Sequence, residues 1–348
     1  MKAKDPSDVL GSTGMFPDQC QQAWEESQKV VFPEEYKKVK NVVVAGMGGS
    51  RFTPKTIKEL FRETITVPYE ISEDYTVPGY VNSESLVILS SFSGTTEEVL
   101  ATGKDALAKG AKLAGIMKAD SPIAKFLAEQ RAPGYFFAPK FNPCGQPRIG
   151  GGYLLLGHLG LLKALGFITI EDDVSAAIVF AREVGKKYLA DVPEPQNPAK
   201  KLARFLKDKH LFIIAAEFLK GFGNGFANQI NETAKMISDY RYISELNHHL
   251  MEGLKRPEAL HQNGLFLLFL SQFYSQPIQK RFRITKDVIE KQQVATHTIE
   301  LTGPSKLAQT LEAYTLSGFT TFYMAMLYDT DPVAIPWVDY FKAELAKA

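Results

Sequence analysis

The sequence predicts two doubly wound α/β units in tandem, each a parallel β-sheet covered by helices. Three observations carry that reading. The chain has 348 residues, enough for two cores of about 150 residues each. Short apolar, often β-branched runs recur with helical segments between them, the pattern of strands buried on both faces. A break containing Pro193, Pro195 and Pro198 lies near the middle, and the alternation restarts beyond it.

Residues 1–34 are read as a polar, helical lead. Asn41 to Gly46 is a buried strand that ends at glycine. Thr53-Pro54 reads as the N-cap and first position of a helix to about Glu63. Val67 to Ile71 and Ser85 to Ser90 are the next strands. Thr95 or Thr96 caps a helix to Lys109, and Lys112 to Met117 returns as a strand. Asp120-Ser121-Pro122 opens a further helix, and Tyr135 to Ala138 is a fifth strand. The first unit is placed at 35–170. Two helical patterns follow, Gly151 to Leu165 and Asp173 to Leu189, with 171–198 read as the connecting segment. In the second unit, 199–348, Leu202 to Lys207 is helical, Leu211 to Ala216 a strand and Gly223 to Ile237 a helix. Leu265 to Leu270 and Ala295 to Leu301 are strands around a helix at Lys286 to Gln292. Lys306 to Tyr328 is a long helix, and Trp337 to Leu345 is a last one.

Composition removes several functions. Lys and Arg number 40 against 39 Asp and Glu, leaving no basic excess for a phosphate backbone, so no nucleic-acid partner is expected. Cys20 and Cys144 are too few for a disulfide framework or a structural zinc site. The N-terminus has charge but no apolar run behind it, and a cytoplasmic protein is expected. Tyr153 to Ile168, the most apolar helical candidate, is interrupted by His158 and Lys163 and falls short of the ~20 residues that span a bilayer; no membrane partner is expected. The six histidines show no metal-ligand spacing, which disfavours a zinc-dependent enzyme.

Two loops carry the functional signal. Gly46-Met47-Gly48-Gly49-Ser50 leaves a strand and enters a helix, where backbone N–H groups and the helix dipole favour anions. It fits neither the dinucleotide fingerprint, whose third glycine would fall on Arg51, nor a P-loop. A tight turn alone would explain it. The second loop, Ser91-Phe-Ser93-Gly-Thr95-Thr96, also opens a helix, and four hydroxyls stand where one cap would suffice. Neutral donors of this kind suit a phosphomonoester that is held and not cleaved. Both loops lie at strand C-termini, where open α/β sheets bind ligands.

Together these loops resemble the sugar isomerase (SIS) domain. Four further segments resemble the bifunctional phosphoglucose/phosphomannose isomerase family: Pro147-Arg148-Ile-Gly-Gly-Gly-Tyr153, Asn231-Glu232-Thr-Ala-Lys235, Glu245-Leu-Asn247-His248, and Asp331-Pro332 through Tyr340-Phe-Lys342. The likeness runs from about residue 35 to 345 and implies two SIS domains. It implies an aldose–ketose isomerase acting on glucose 6-phosphate, and on mannose 6-phosphate as well, with fructose 6-phosphate as the ketose. By that likeness Gly48, Gly49, Ser50, Ser91, Ser93 and Thr96 would hold the phosphate. Glu232 would be the base, Arg148 would lie near the reacting carbons, and His248 would take part in ring opening from across a homodimer interface. Lys342 would contact the ring-oxygen region. His249 is the alternative to His248. The reaction needs no cofactor and no metal: one carboxylate reaching C1 and C2 and one cation beside the developing oxyanion suffice. Two other readings stand beside it, a non-catalytic sugar-phosphate sensor and an isomerase restricted to one aldose phosphate.

Overall fold

The computed structural model describes residues 4–345 and 347. Its first half contains α1 (Val9–Gly14), α2 (Phe16–Ser27), β1 (Asn41–Ala45), α3 (Gly49–Leu60), β2 (Tyr69–Ser72), β3 (Ser85–Ser91), α4 (Glu97–Ala108), β4 (Lys112–Lys118), α5 (Pro122–Glu129), β5 (Gly134–Phe137), α6 (Gly151–Leu165) and α7 (Val174–Lys186). The second half contains α8 (Pro198–Leu206), β6 (His210–Ala215), α9 (Lys220–Gln229), β7 (Ser238–Tyr242), α10 (Leu250–Gly253), α11 (Leu260–Asn263), β8 (Gly264–Leu270), α12 (Gln276–Lys291), β9 (Ala295–Glu300), α13 (Lys306–Leu327) and α14 (Pro336–Leu345). Every strand pairing is parallel. One sheet runs β2-β1-β3-β4-β5 and the other β7-β6-β8-β9. Both reverse strand order between their first and third strands, which opens a crevice at the C-terminal ends.

The doubly wound prediction holds, because β1, β3, β6 and β8 are buried on both faces as their apolar runs require. Four local expectations are corrected. The helix expected to start at Thr53-Pro54 starts at Gly49, so Pro54 lies inside it. The helix expected to reach Ile237 ends as a single π-turn at Ile230–Ala234, stopped by Lys235 at φ 57°. The chain then forms β7, whose sequence Ser-Asp-Tyr-Arg-Tyr hid it: as an edge strand it is only half buried and lacks an apolar run. Helix α12 begins at Gln276, ten residues before the expected Lys286, because it buries only Phe282, Thr285 and Ile289, too narrow a stripe for its start to be seen.

One packing contact places the site. Helices α3 and α9 run antiparallel at very close range, and glycine makes the approach possible. A Cβ on Gly221 would fall 2.3 Å from Thr56 N, and one on Gly225 2.8 Å from the Phe52 ring. Phe52 is 1% exposed and stacks on Tyr314 of α13 at 6.0 Å; burial of that ring stabilises the junction by about 2–3 kcal/mol. Because the helices are antiparallel, the C-terminal end of α9 arrives beside the N-terminal end of α3.

Candidate active site

Gly48, at φ 49° and ψ −120°, turns the chain out of β1, and α3 begins at the next residue. Ser50 Oγ accepts a hydrogen bond from Phe92 N at 3.0 Å, which joins the glycine loop to the hydroxyl loop. With that lone pair engaged, the Ser50 proton is free to be donated. The second loop repeats the arrangement. Ser91 Oγ accepts from Gly94 N at 3.1 Å and pairs with Thr96 Oγ1 at 2.8 Å. Ser93 Oγ accepts from Thr95 N at 3.3 Å and pairs with Thr95 Oγ1 at 2.8 Å. Within each hydroxyl pair one proton is shared and the other remains to donate. Thr96 is the N-cap of α4 but makes no capping hydrogen bond. The hydroxyls are therefore not consumed in capping, and the loops can offer three O–H donors at a helix N-terminus.

Arg148 follows in space. A Cβ on Gly49 would lie 3.9 Å from Pro147 O and 4.0 Å from Arg148 Cα, so the glycine loop abuts this segment. The guanidinium is fixed on three sides. Nε donates to Thr233 Oγ1 at 3.2 Å, Nη1 to Gln146 Oε1 at 2.9 Å, and Nη2 to the carbonyls of Pro332 at 2.5 Å and Val333 at 2.9 Å. Gln229 Nε2 donates to the Arg148 carbonyl at 3.4 Å and is itself held by Ser317. Sequence reasoning missed these supports. Gln146 flanks one segment it did single out and Thr233 and Pro332 lie inside two others, but a backbone carbonyl as a guanidinium acceptor leaves no trace in residue type.

Glu232 sits in the π-turn that ends α9, and its Oε2 lies 3.7 Å from Arg148 Nη1. About a third of its side chain, 36%, reaches solvent against 4% for Arg148, so the carboxylate is accessible while the arginine is buried. Burial raises the Glu232 pKa above the usual carboxylate value, opposed in turn by Arg148, Lys235 and Lys342. Burial likewise lowers the pKa of Arg148, against the pull of Glu232. A carboxylate poised upward beside a fixed cation can take and return a proton while the cation holds an oxyanion. Lys342, on α14, is close enough for its charge to act on Glu232. Lys235 Nζ donates to the Glu232 carbonyl at 2.6 Å.

His248 is not brought to this cluster. It lies exposed in a short 3-10 turn, Glu245–His248, beyond the C-terminal end of β7, whereas Glu232 precedes the N-terminal end. The strand between them spans on the order of 15 Å. Asn247 anchors the turn, donating to Thr285 Oγ1 at 2.7 Å, and His249 Nε2 pairs with Glu245 Oε2 at 3.0 Å.

Comparison with known proteins agrees with this architecture. Residues 35–129 match the SIS domain, and residues 195–345 match the bacterial phospho-glucose isomerase C-terminal SIS domain. The fold is thus that of a tandem SIS-domain protein. A bifunctional phosphoglucose/phosphomannose isomerase of Caldicellulosiruptor bescii is 31% identical over 344 residues, 95% of this chain and 97% of its own. One of Aquifex aeolicus is 26% identical over 93% of this chain and 94% of its own. The chain belongs to the bifunctional phosphoglucose/phosphomannose isomerase family and is an enzyme of the aldose–ketose isomerase class. Among solved structures, a hypothetical protein of Thermus thermophilus superposes with TM-score 0.73 at 17% identity, covering 99% of this chain and 91% of that one. The C-terminal domain of glucosamine-fructose-6-phosphate aminotransferase from Francisella tularensis gives 0.68 at 13%, covering 93% and 97%. At such identities these two speak for the fold alone. Among the described residues no helix is long and apolar enough to cross a membrane.

Proposed function

We propose that the protein interconverts glucose 6-phosphate, and mannose 6-phosphate, with fructose 6-phosphate by metal-free proton transfer through a cis-enediol(ate). The observation that carries this reading is the contact of Glu232 with Arg148 immediately beside two hydroxyl loops able to hold a phosphate. Ser50, Ser93 and the Ser91–Thr96 pair grip the phosphate with neutral donors and so fix the position of the sugar carbons. Glu232 removes the proton from one of C1 and C2 and returns it to the other. Its raised pKa brings it nearer to a working pH, where a base exchanges protons most effectively. Arg148 faces the oxyanion that develops on the neighbouring oxygen, and its ties to Thr233, Gln146 and two carbonyls keep it from turning during the reaction. Lys342 assists at the ring oxygen.

Ring opening by His248 requires a second subunit, because in its own chain His248 stands at the far end of β7 from Glu232. A homodimer with shared active sites is the arrangement we infer. The exposed aromatic residues Trp337, Tyr340 and Phe341 of α14 fit burial against such a partner. The test is conversion of fructose 6-phosphate in deuterated water. Deuterium at C2 of the aldose phosphates formed is the expected result. A protein that binds the sugar phosphate without catalysing exchange would leave C2 unlabelled, and the sensor reading would then replace this one.

A further inference from the structure

His158 is fully buried in α6, is not required by the mechanism above, and leaves Nδ1 without a hydrogen-bond partner among the described residues. Burial in apolar surroundings depresses its pKa to about 3, so the ring is neutral. Its Nε2 lies 3.0 Å from Ser90 Oγ, and Ser90 Oγ donates at 2.9 Å to the carbonyl of Ser50. Since the serine proton goes to that carbonyl, the imidazole must supply the other proton, which defines the tautomer as Nε2–H.

The Ser50 carbonyl needs this help for a covalent reason. In a helix it would accept from the amide four residues on, and that residue is Pro54, which has no N–H. The same carbonyl folds back over Gly46, where a Cβ would lie 2.5 Å from it. Strand β3 and the turn after it thus clasp Ser50 twice, at its carbonyl through Ser90 Oγ and at its hydroxyl through Phe92 N. Neighbouring residues of one strand point to opposite faces, so Ser91 serves the hydroxyl loop while Ser90 serves the backbone beneath it.

We propose that Ser90 and His158 are positioning residues of the phosphate site: they hold the carbonyl that Pro54 leaves without a helical partner and so aim the Ser50 hydroxyl and the first turn of α3. The proposal rests on the reading of these loops as the phosphate site. Pro54 and Ser90 are a matched pair, in which one removes a donor and the other replaces it. Loss of Ser90 loosens the grip on the phosphate and leaves Glu232 and Arg148 untouched.

The experiment measures KM and kcat for fructose 6-phosphate, and the inhibition constant of inorganic phosphate, for Ser90→Ala, Pro54→Ala, the double variant and Ser93→Ala. Ser90→Ala is expected to raise KM and the phosphate inhibition constant about tenfold, as loss of one buried hydrogen bond would, with kcat within about twofold. Pro54→Ala restores the missing N–H, so adding Ser90→Ala in that background is expected to change KM by no more than about threefold. His158→Gln keeps a side-chain N–H donor and is expected to lie closer to the unmodified protein than His158→Leu, and this pair decides the matter if Ser90→Ala does not fold. Unchanged KM and phosphate inhibition in Ser90→Ala beside a weakened Ser93→Ala would overturn the positioning role and leave the phosphate reading standing. An equal Ser90→Ala effect in both backgrounds would overturn the pairing with Pro54 and with it the role proposed. No effect from either Ser90→Ala or Ser93→Ala would overturn the phosphate reading and this proposal together.

Discussion

The two sheets have the same first four strands in the same order, yet their C-terminal ends differ in what they offer a ligand. In the first, the turns after β1 and β3 hold glycine and serine, and after the bonds within the hydroxyl pairs three hydroxyl protons are left to donate. In the second, the turn after β6 carries Glu217 in place of a glycine loop, and its carboxylate reaches the turn after β8. There it accepts from Ser275 N at 3.3 and 3.2 Å and from Ser275 Oγ at 2.5 Å. The second sheet supplies its own anion at the place where the first leaves donors unspent. What it contributes to the proposed chemistry comes from the opposite end, where α9 delivers Glu232. In the proposed function the two similar sheets thus divide the labour: one half would hold the phosphate and the other would bring the base.

The largest test of that division is Glu232→Gln. Turnover in a coupled assay is expected to fall by at least about 100-fold, with KM little changed because the phosphate loops belong to the other half. Near-normal turnover would move the base elsewhere. The same variant probes the shared site. Mixing Glu232→Gln with His248→Ala subunits and allowing exchange is expected to restore about a quarter of the unmodified activity, since half the dimers are mixed and each has one intact site. No recovery would place both residues in one chain's site.

A smaller effect is expected in the pH profile. Glu232 must be ionised to act, and burial raises its pKa, so kcat/KM is expected to fall on the acid side at a higher pH than an ordinary carboxylate would give. Lys342 favours the ionised form. Replacing it by methionine removes a positive charge, raises the carboxylate pKa further and moves the acid limb to higher pH. A limb that stays in place in Lys342→Met would separate α14 from the site.

The smallest effect sharpens the contrast between the sheets. Glu217→Gln is expected to leave KM and kcat within about twofold and to cost about 1 kcal/mol or less in a urea melt. A tenfold rise in KM would mean that the second sheet's crevice also handles substrate.

Much of this was legible in the chain. The buried strands announce themselves because a parallel strand covered on both faces must be apolar throughout, and the hydroxyl loop stands out because four hydroxyls exceed what a cap needs. Strand β7 and the start of α12 escaped because elements at a sheet's edge or surface bury little and need no apolar signature. The helix boundary at Thr53-Pro54 misled for a different reason: proline is tolerated within α3 where a distant serine replaces the missing donor.

Residue order alone specifies the parallel-sheet class, the loop chemistry at the strand ends and the residue types for a base and a cation, since each follows from local periodicity or from a side chain's own groups. Packing in three dimensions was needed to bring Glu232 to Arg148 and to keep His248 away. That outcome depends on the antiparallel approach of α3 and α9 across glycines 221 and 225, and on backbone carbonyls gathered around a buried guanidinium. Such contacts join residues far apart in the chain through atoms that every residue has, and so leave no mark on composition or spacing.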